Sequence, residues 1–211
     1  MSITNELKFD ENGLIPAVVQ HDVSGRILMV AYMNVQALEQ TLLTNVATFY
    51  SRSRKTLWVK GETSGNRLHV QKILADCDTD CLVVKVLPDG PACHTGNETC
   101  FYRELDASGL TEKMDRADAS VLQDVYNVVL DRKQHPKEGS YTNYLFDKGI
   151  DKMLKKVGEE TSEVIIGAKN EGNAEVRYEI ADLLYHLSVL MVEKDLTWKE
   201  VYQELASRYA K

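Results

Sequence analysis

The stretch DASGLTEKMDRADAS (residues 106–120), followed by VLQDVYNVVL (121–130), marks where the chain changes character. Its first fifteen residues are small and polar, as a linker between domains is. In the ten that follow, Val121, Leu122, Val125, Val128, Val129 and Leu130 recur with a period near that of a helix and are expected to form one apolar stripe. Upstream the spacing is that of strands. Ile15–His21, Arg26–Tyr32, Thr48–Arg52, Leu57–Lys60, Leu68–Leu74 and Leu82–Leu87 are rich in Val, Ile, Tyr and Trp and separated by turn residues. One helix interrupts them over Val35–Leu43, with Asn34 as its N-cap. Downstream, helices are expected over Tyr141–Lys148, Asp151–Asn170, Ala174–Lys194 and Trp198–Tyr209, with Gly149 and Gly172 as stops and a Thr197–Glu200 capping box. Ile180–Val192 is apolar almost all round, which predicts a helix buried in a bundle. The organisation expected is an α+β domain, mainly β, over residues 1–107, a linker over 108–117 and an all-α bundle over 118–211.

Composition narrows the function. The chain has 211 residues and a formal net charge of −7, so it offers no basic footprint for nucleic acid. It begins with neither a basic nor an apolar leader, and no apolar run reaches the roughly 18 residues that a membrane span requires. A cytoplasmic protein that binds neither nucleic acid nor membrane is expected. All four cysteines, Cys77, Cys81, Cys93 and Cys100, fall between residues 77 and 100. In a reducing compartment such clustering favours metal ligands or catalytic thiols over disulfides, with buried structural thiols as the competing reading. The paired C-x2-C knuckles of a closed structural zinc site are missing.

Residues 76–80 are Asp-Cys-Asp-Thr-Asp. If extended, they would turn Asp76, Asp78 and Asp80 one way and Cys77 the other. Carboxylate oxygens suit Mg²⁺ and thiolate suits Zn²⁺, so two separate metals are expected, against the alternative of a solvated acidic turn. Cys93 and Cys100, in the Gly- and Pro-rich run PDGPACHTGNETC (88–100), add two thiolates. With Cys77 they make a three-cysteine set whose fourth position can hold water, the layout of a catalytic zinc that generates hydroxide near neutral pH. His94, beside Cys93, is placed to shuttle a proton, or else is a structural hydrogen-bonding residue. Cys81 reads as a small buried apolar residue on a strand. Upstream, residues 49–66 interleave Arg and Lys with Ser, Thr and Gly, which suits a phosphate or a polar hairpin equally.

Four separated runs occur in order: Ser51–Arg54; Leu57-Trp58-x-Lys60-Gly61-Glu62-Thr63-Ser64-Gly65-Asn66; Asp76-Cys77-Asp78-x-Asp80; and Gly90-Pro91-x-Cys93-His94-x-Gly96 with Cys100-Phe101. Together, over about residues 10–105, they resemble phosphoribosyl-AMP cyclohydrolase of histidine biosynthesis. The resemblance implies an intertwined dimer with zinc shared between subunits at Cys77, Cys93 and Cys100, and Mg²⁺ at Asp76, Asp78 and Asp80. It implies phosphate binding by Arg52, Lys60, Thr63, Ser64 and Asn66. The implied reaction is hydrolytic opening of the adenine ring between N1 and C6, where ribosylation at N1 makes C6 electrophilic.

In the helical half, Glu159, Glu160 and Glu163 can share one helix edge, and Glu179 and Asp182 are three apart on the next helix. Taken alone, Glu159–Glu163 reads as a solvated acidic face. Asp182 lies among Ile180, Ala181, Leu183 and Leu184, where an unpaired carboxylate would be costly. Facing acidic helices make an oxygen cage for Mg²⁺ from Glu160, Glu163, Glu179 and Asp182. His186 reads as a satisfied core histidine. The pattern Lys156-x-x-Glu159-Glu160-x-x-Glu163 with Glu179-x-x-Asp182 resembles the all-α nucleoside triphosphate pyrophosphohydrolases. With Ser140-Tyr141-Thr142, Leu145-Phe146-x-Lys148-Gly149 and Tyr185-His186, the resemblance narrows to phosphoribosyl-ATP pyrophosphohydrolase. It implies Mg²⁺-assisted attack of water on the α–β phosphoanhydride, with Glu159, Glu160 or Glu163 as the base.

The expectation is a bifunctional hydrolase of phosphoribosyl-ATP and phosphoribosyl-AMP that needs Zn²⁺ and Mg²⁺ and forms a homodimer. A zinc deaminase fused to a general nucleotide pyrophosphohydrolase is the alternative, disfavoured because the H-x-E and P-C-x-x-C pattern is missing. A metal-stabilised interaction module without activity is a third reading.

Overall fold

Every second side chain of Ile15–His21 (β1) is buried, and the same alternation recurs in Leu82–Pro88 (β6). The two strands pair in parallel at the centre of a four-stranded sheet, which is the arrangement that buries one face of each. Ile27–Met33 (β2) closes one edge against β1, and Leu68–Ala75 (β5) closes the other against β6, both antiparallel. The structure, a computed structural model, describes residues 6–111 and 117–209. The chain divides into two compact units, residues 1–116 and 117–211.

Unit 1 completes its core with Val35–Thr44 (α1) and the hairpin Thr48–Ser51 (β3) and Thr56–Val59 (β4). Asn34 caps α1, its side chain accepting from the Ala37 amide at 2.8 Å, and Asn45 ends the helix in the left-handed region at φ 55°. The buried Thr41 hydroxyl donates to Ala37 O and accepts from the Thr48 amide, fastening α1 to β3. Ile15, Val19, Met33, Phe49, Leu68, Leu82, Val84 and Val86 fill the core. Each such side chain contributes about 1.5–3 kcal/mol by leaving water. The expected strands and α1 are all present, with ends shifted by no more than one residue.

The polar stretch expected to be a linker is partly structured. Glu104–Asp106 (β7) and Gly109–Thr111 (β8) form a two-stranded ribbon, with Gly109 at φ +124°. Residues 112–116 of that stretch lie outside the described residues. Asp-Cys-Asp-Thr-Asp is a turn and not extended chain. Asp76 Oδ1 accepts from the amides of Asp80 and Cys81, and Thr79 adopts φ 66°. The turn closes because an aspartate side chain can replace a strand partner for the backbone. Cys81 precedes β6 and is half-buried, so it is neither on the strand nor fully inside.

Unit 2 holds five helices among its described residues: Val121–Gln134 (α2), Tyr141–Lys148 (α3), Ile150–Gly167 (α4), Ala174–Glu193 (α5) and Trp198–Tyr209 (α6). α5 packs on α4 and α2, and α3 packs on α4. The capping box at α6 forms as expected: Glu200 accepts from the Thr197 amide at 2.8 Å, and Thr197 Oγ1 accepts from the Glu200 amide. Three expectations need correction. On α2 the buried residues are Tyr126 and Val129, whereas Val121 and Val128 are exposed, because the inward face is centred on the larger aromatic ring. α4 ends at Gly167 and not at Asn170: a Cβ there would lie 3.3 Å from Val176 N, so a glycine lets α5 approach. α5 is not buried along its length. His186, Ser188, Val189, Met191 and Val192 are inside, but Ile180, the first residue of the run expected to be buried, is 44% exposed. No helix among the described residues is long and apolar enough to cross a membrane.

Candidate active sites in the two units

In unit 1 the candidate residues lie on three loops. The Lys60–Asn66 loop follows β4, and its shape depends on two glycines. Gly61 has φ +86°, and a Cβ on it would stand 2.4 Å from the Asn66 carbonyl carbon; a Cβ on Gly90 would stand 2.6 Å from Asn66 Oδ1. Asn66 Nδ2 donates to Pro91 O at 3.1 Å, which ties this loop to the one carrying Cys93. Gly61→Ala is therefore expected to cost at least about 2 kcal/mol of unit 1 stability, from backbone strain plus collision with main chain. Denaturant unfolding in a Trp198→Phe background, where Trp58 is the remaining tryptophan, measures it by fluorescence.

The second loop, residues 90–101, is irregular but fixed. Cys100 N donates to Leu28 O at 2.8 Å, Cys93 N to Asn97 O at 3.0 Å, and Thr99 Oγ1 to Ile27 O at 2.7 Å. Arg26 pairs with Glu98 at 2.7 Å. The loop thus extends the edge of β2, and this brings Cys93 and Cys100 together. Burial works to raise the Cys93 thiol pKa, but hydrogen bonding from Thr95 and Cys100 and the charge of Lys60 outweigh it and leave it below its ordinary value. Burial and the neighbouring Cys93 push Cys100 up to about 11. A lowered thiol beside a raised one is the state of two sulfurs competing for one negative charge, which a cation would relieve.

A cavity of about 420 Å³ joins Cys93 and His94 to Lys60, Thr63, Ser64 and Asn66. Five of the residues expected from sequence to hold substrate or move protons therefore line one space with a zinc-ligand candidate. Arg52 does not line it. Its guanidinium lies 4.0 Å over the Tyr32 ring, and Arg54, two residues further along the same basic run, lines the cavity with Trp58. The β3–β4 turn decides which arginine faces inward, and spacing alone does not encode that.

The third loop is the acidic turn. Asp76, Asp78 and Asp80 are exposed, with a carboxylate oxygen of each within 4.8 Å of the others. Asp78 foremost, then burial and Asp76, raise the pKa of Asp80. Burial opposes a low pKa for Asp76, but the Cys81 and Asp80 amides prevail and lower it. Cys77 is exposed on this turn. Among the described residues, Cys77, Cys93 and Cys100 of one chain do not form a group close enough to share an ion.

In unit 2 the corresponding group is Glu160, Glu179 and Asp182, again within 4.8 Å. Glu160 is buried and pairs with Lys156, which also reaches Glu159 at 3.1 Å; His186 Nε2 stands 3.6 Å from Glu160. Asp182 is half-exposed, contrary to its expected burial, because the N-terminal half of α5 is open. Burial, followed by Glu160 and Asp182, raises the Glu179 pKa; burial, followed by Glu160 and Glu179, raises that of Glu163. Glu163 adjoins the group of three without belonging to it. Lys156 holds the Glu159 pKa down. His186 is buried as expected, but its Nδ1 has no hydrogen-bond partner, so it is not fully satisfied. Three carboxylates facing one another at this range form a donor set for a hard divalent cation.

Comparison with known proteins agrees with both halves. The family model of phosphoribosyl-AMP cyclohydrolase matches residues 29–102, and that of phosphoribosyl-ATP pyrophosphohydrolase matches residues 122–209. The histidine biosynthesis bifunctional protein HisIE of Caldanaerobacter subterraneus subsp. tengcongensis is 53% identical over 206 residues, 98% of each chain. The protein of the same name from Bacillus subtilis is 49% identical over 210 residues, covering 100% of this chain and 98% of that one. The one from Pyrococcus furiosus is 46% identical over 197 residues, covering 93% and 92%.

Proposed function

Since the chain belongs to the bifunctional histidine-biosynthesis family that joins phosphoribosyl-AMP cyclohydrolase to phosphoribosyl-ATP pyrophosphohydrolase, we propose the following division of work among its residues. Unit 2 hydrolyses phosphoribosyl-ATP to phosphoribosyl-AMP and pyrophosphate. Unit 1 then opens the purine ring of that product between N1 and C6. The order of the units along the chain is the reverse of the order of the reactions.

In unit 2, Glu160, Glu179 and Asp182 hold a magnesium ion, which when bound neutralises phosphate charge on the α–β anhydride. Glu163, beside that group and outside it, orients the attacking water and takes its proton. Lys156 fixes the Glu160 carboxylate and so keeps the group of three in place. In unit 1, Lys60, Thr63, Ser64 and Asn66, with Arg54, bind the substrate phosphate, and His94 carries the proton between water and the opening ring. Cys93 and Cys100 hold zinc, which when bound supplies an activated water. Asp76, Asp78 and Asp80 are assigned to a second magnesium ion. Cys77 comes from the other subunit of a homodimer, because in one chain it lies apart from the other two sulfurs.

The observation that carries this reading is the single cavity in which Cys93 and His94 face the Lys60–Asn66 loop. Co-production of Cys77→Ala and Cys93→Ala chains tests the shared site. Each variant alone is expected to lack ring opening. In a mixed dimer one of the two sites has all its cysteines, so random pairing should restore about a quarter of the activity. Failure of the mixture to recover any activity would show that each subunit builds its own site.

A further inference from the structure

α4 carries a charge pattern that the carboxylate group leaves unexplained. Lys152, Lys155 and Lys156 occupy its first turns, and Glu159, Glu160 and Glu163 its later ones. Lys156 is engaged by Glu159 and Glu160. Among the described residues, neither Lys152 nor Lys148 at the end of α3 forms an ion pair; Lys152 reaches Glu159 only through its charge at longer range. Their ammonium groups instead lie over the ring of Tyr144, 5.7 Å (Lys148) and 6.0 Å (Lys152) from its centroid. Gly149, at φ +76°, separates the two helices between them. Two cations from different helices, neither of them in an ion pair, thus lie near one aromatic ring.

That ring belongs to a larger platform. Tyr141 and Tyr144 stack with centroids 6.0 Å apart, remain 48% and 42% exposed, and line a cavity of about 580 Å³ with Ser140. Tyr141 meets the ring of His186 edge-on at 6.0 Å, and His186 is the neighbour of Glu160. The platform therefore adjoins the carboxylate group, with the lysines at its far end. Along α4, Lys152 and Glu160 are eight residues apart, about 12 Å at the helical rise of roughly 1.5 Å per residue.

Phosphoribosyl-ATP differs from ATP by one piece, a ribose on purine N1 that ends in a phosphate monoester. Its triphosphate and its monoester are at opposite ends of the molecule, with the purine between them. Compact ammonium groups suit a phosphate dianion, and exposed aromatic rings suit a purine. We propose that Lys148 and Lys152 bind the monoester of the N1-linked ribose while Tyr141 and Tyr144 face the purine. The pair thereby discriminates phosphoribosyl-ATP from ATP. The inference rests on the assignment of Glu160, Glu179 and Asp182 to the triphosphate end.

Lys148→Gln, Lys152→Gln and the double variant of the full-length protein test it. Each single change is expected to raise KM for phosphoribosyl-ATP about tenfold and the double change further, with kcat held within about twofold. Ribose 5-phosphate should inhibit the unsubstituted protein competitively and lose that effect in the double variant. Inhibition by pyrophosphate and the Mg²⁺ concentration for half-maximal rate should stay as they were. Lys152→Arg, which keeps the charge, should retain most of the affinity. An unchanged KM in the double variant would overturn the proposal, as would equal loss of inhibition by ribose 5-phosphate and by pyrophosphate, or no competition by ribose 5-phosphate in the unsubstituted protein. Pyrophosphate release independent of Mg²⁺ would overturn the metal assignment instead, and the KM comparison would still judge the lysines.

Discussion

In the Cys93→Ala variant, ring opening of phosphoribosyl-AMP is expected to fall at least about a thousandfold, since the zinc site proposed for it loses a ligand. Pyrophosphate release from phosphoribosyl-ATP should stay within about twofold of the unsubstituted protein. The asymmetry follows from the division of the chain into two units, with Cys93 on a loop docked against β2 in the first of them. The substitution removes only a sulfur from a buried position, so the cost in stability should be about 1 kcal/mol. Bound zinc, measured on the purified protein, should drop together with ring opening. A folded variant that lost both activities would show that the two chemistries share a site, and would sink the two-site reading.

The second large effect separates two roles inside unit 2. Glu163→Gln should reduce pyrophosphate release by about 10²- to 10⁴-fold, the range for loss of a general base. It should leave intact the rise in melting temperature that Mg²⁺ produces. Asp182→Asn should remove both, because it takes away one of the proposed ligands. The acid–base linkage gives an independent check without metal. Glu179 has its pKa raised from 4.5 by burial and by the charges of Glu160 and Asp182. Its contribution to stability is complete below that value and is lost as pH rises through the raised one. Asp182→Asn removes one of the repelling charges, so the metal-free variant should lose less stability than the unsubstituted protein over that interval. Thermal melts from pH 4 to 7, with and without Mg²⁺, decide it. A Glu163→Gln protein blind to Mg²⁺ would move Glu163 from base to ligand.

Much of this architecture is written locally in the chain. β1 and β6 follow from alternation because one face of each is covered, and α1 follows from Asn34 because a cap acts within three residues. The Thr197–Glu200 box is equally local. What spacing does not convey is tertiary. Arg52 is drawn onto Tyr32, twenty residues earlier, and this leaves Arg54 to face the cavity. Thr79 in a left-handed conformation turns Asp-Cys-Asp-Thr-Asp into a loop, so the three carboxylates meet for a different reason from strand alternation. The apolar run of α5 does not itself say that Ile180 at its start is exposed while Val189 and Val192 near its end are buried. Lys148 and Lys152 stand on two helices, and only the break at Gly149 lets them share a ring.

The contact of Gly61 and Gly90 with Asn66 has a bearing on inheritance. The two loops cannot drift in length independently, since an insertion in either would displace the amide that braces the other. In descendants of this sequence, residues 61, 66, 90 and 91 must thus change together or stay put.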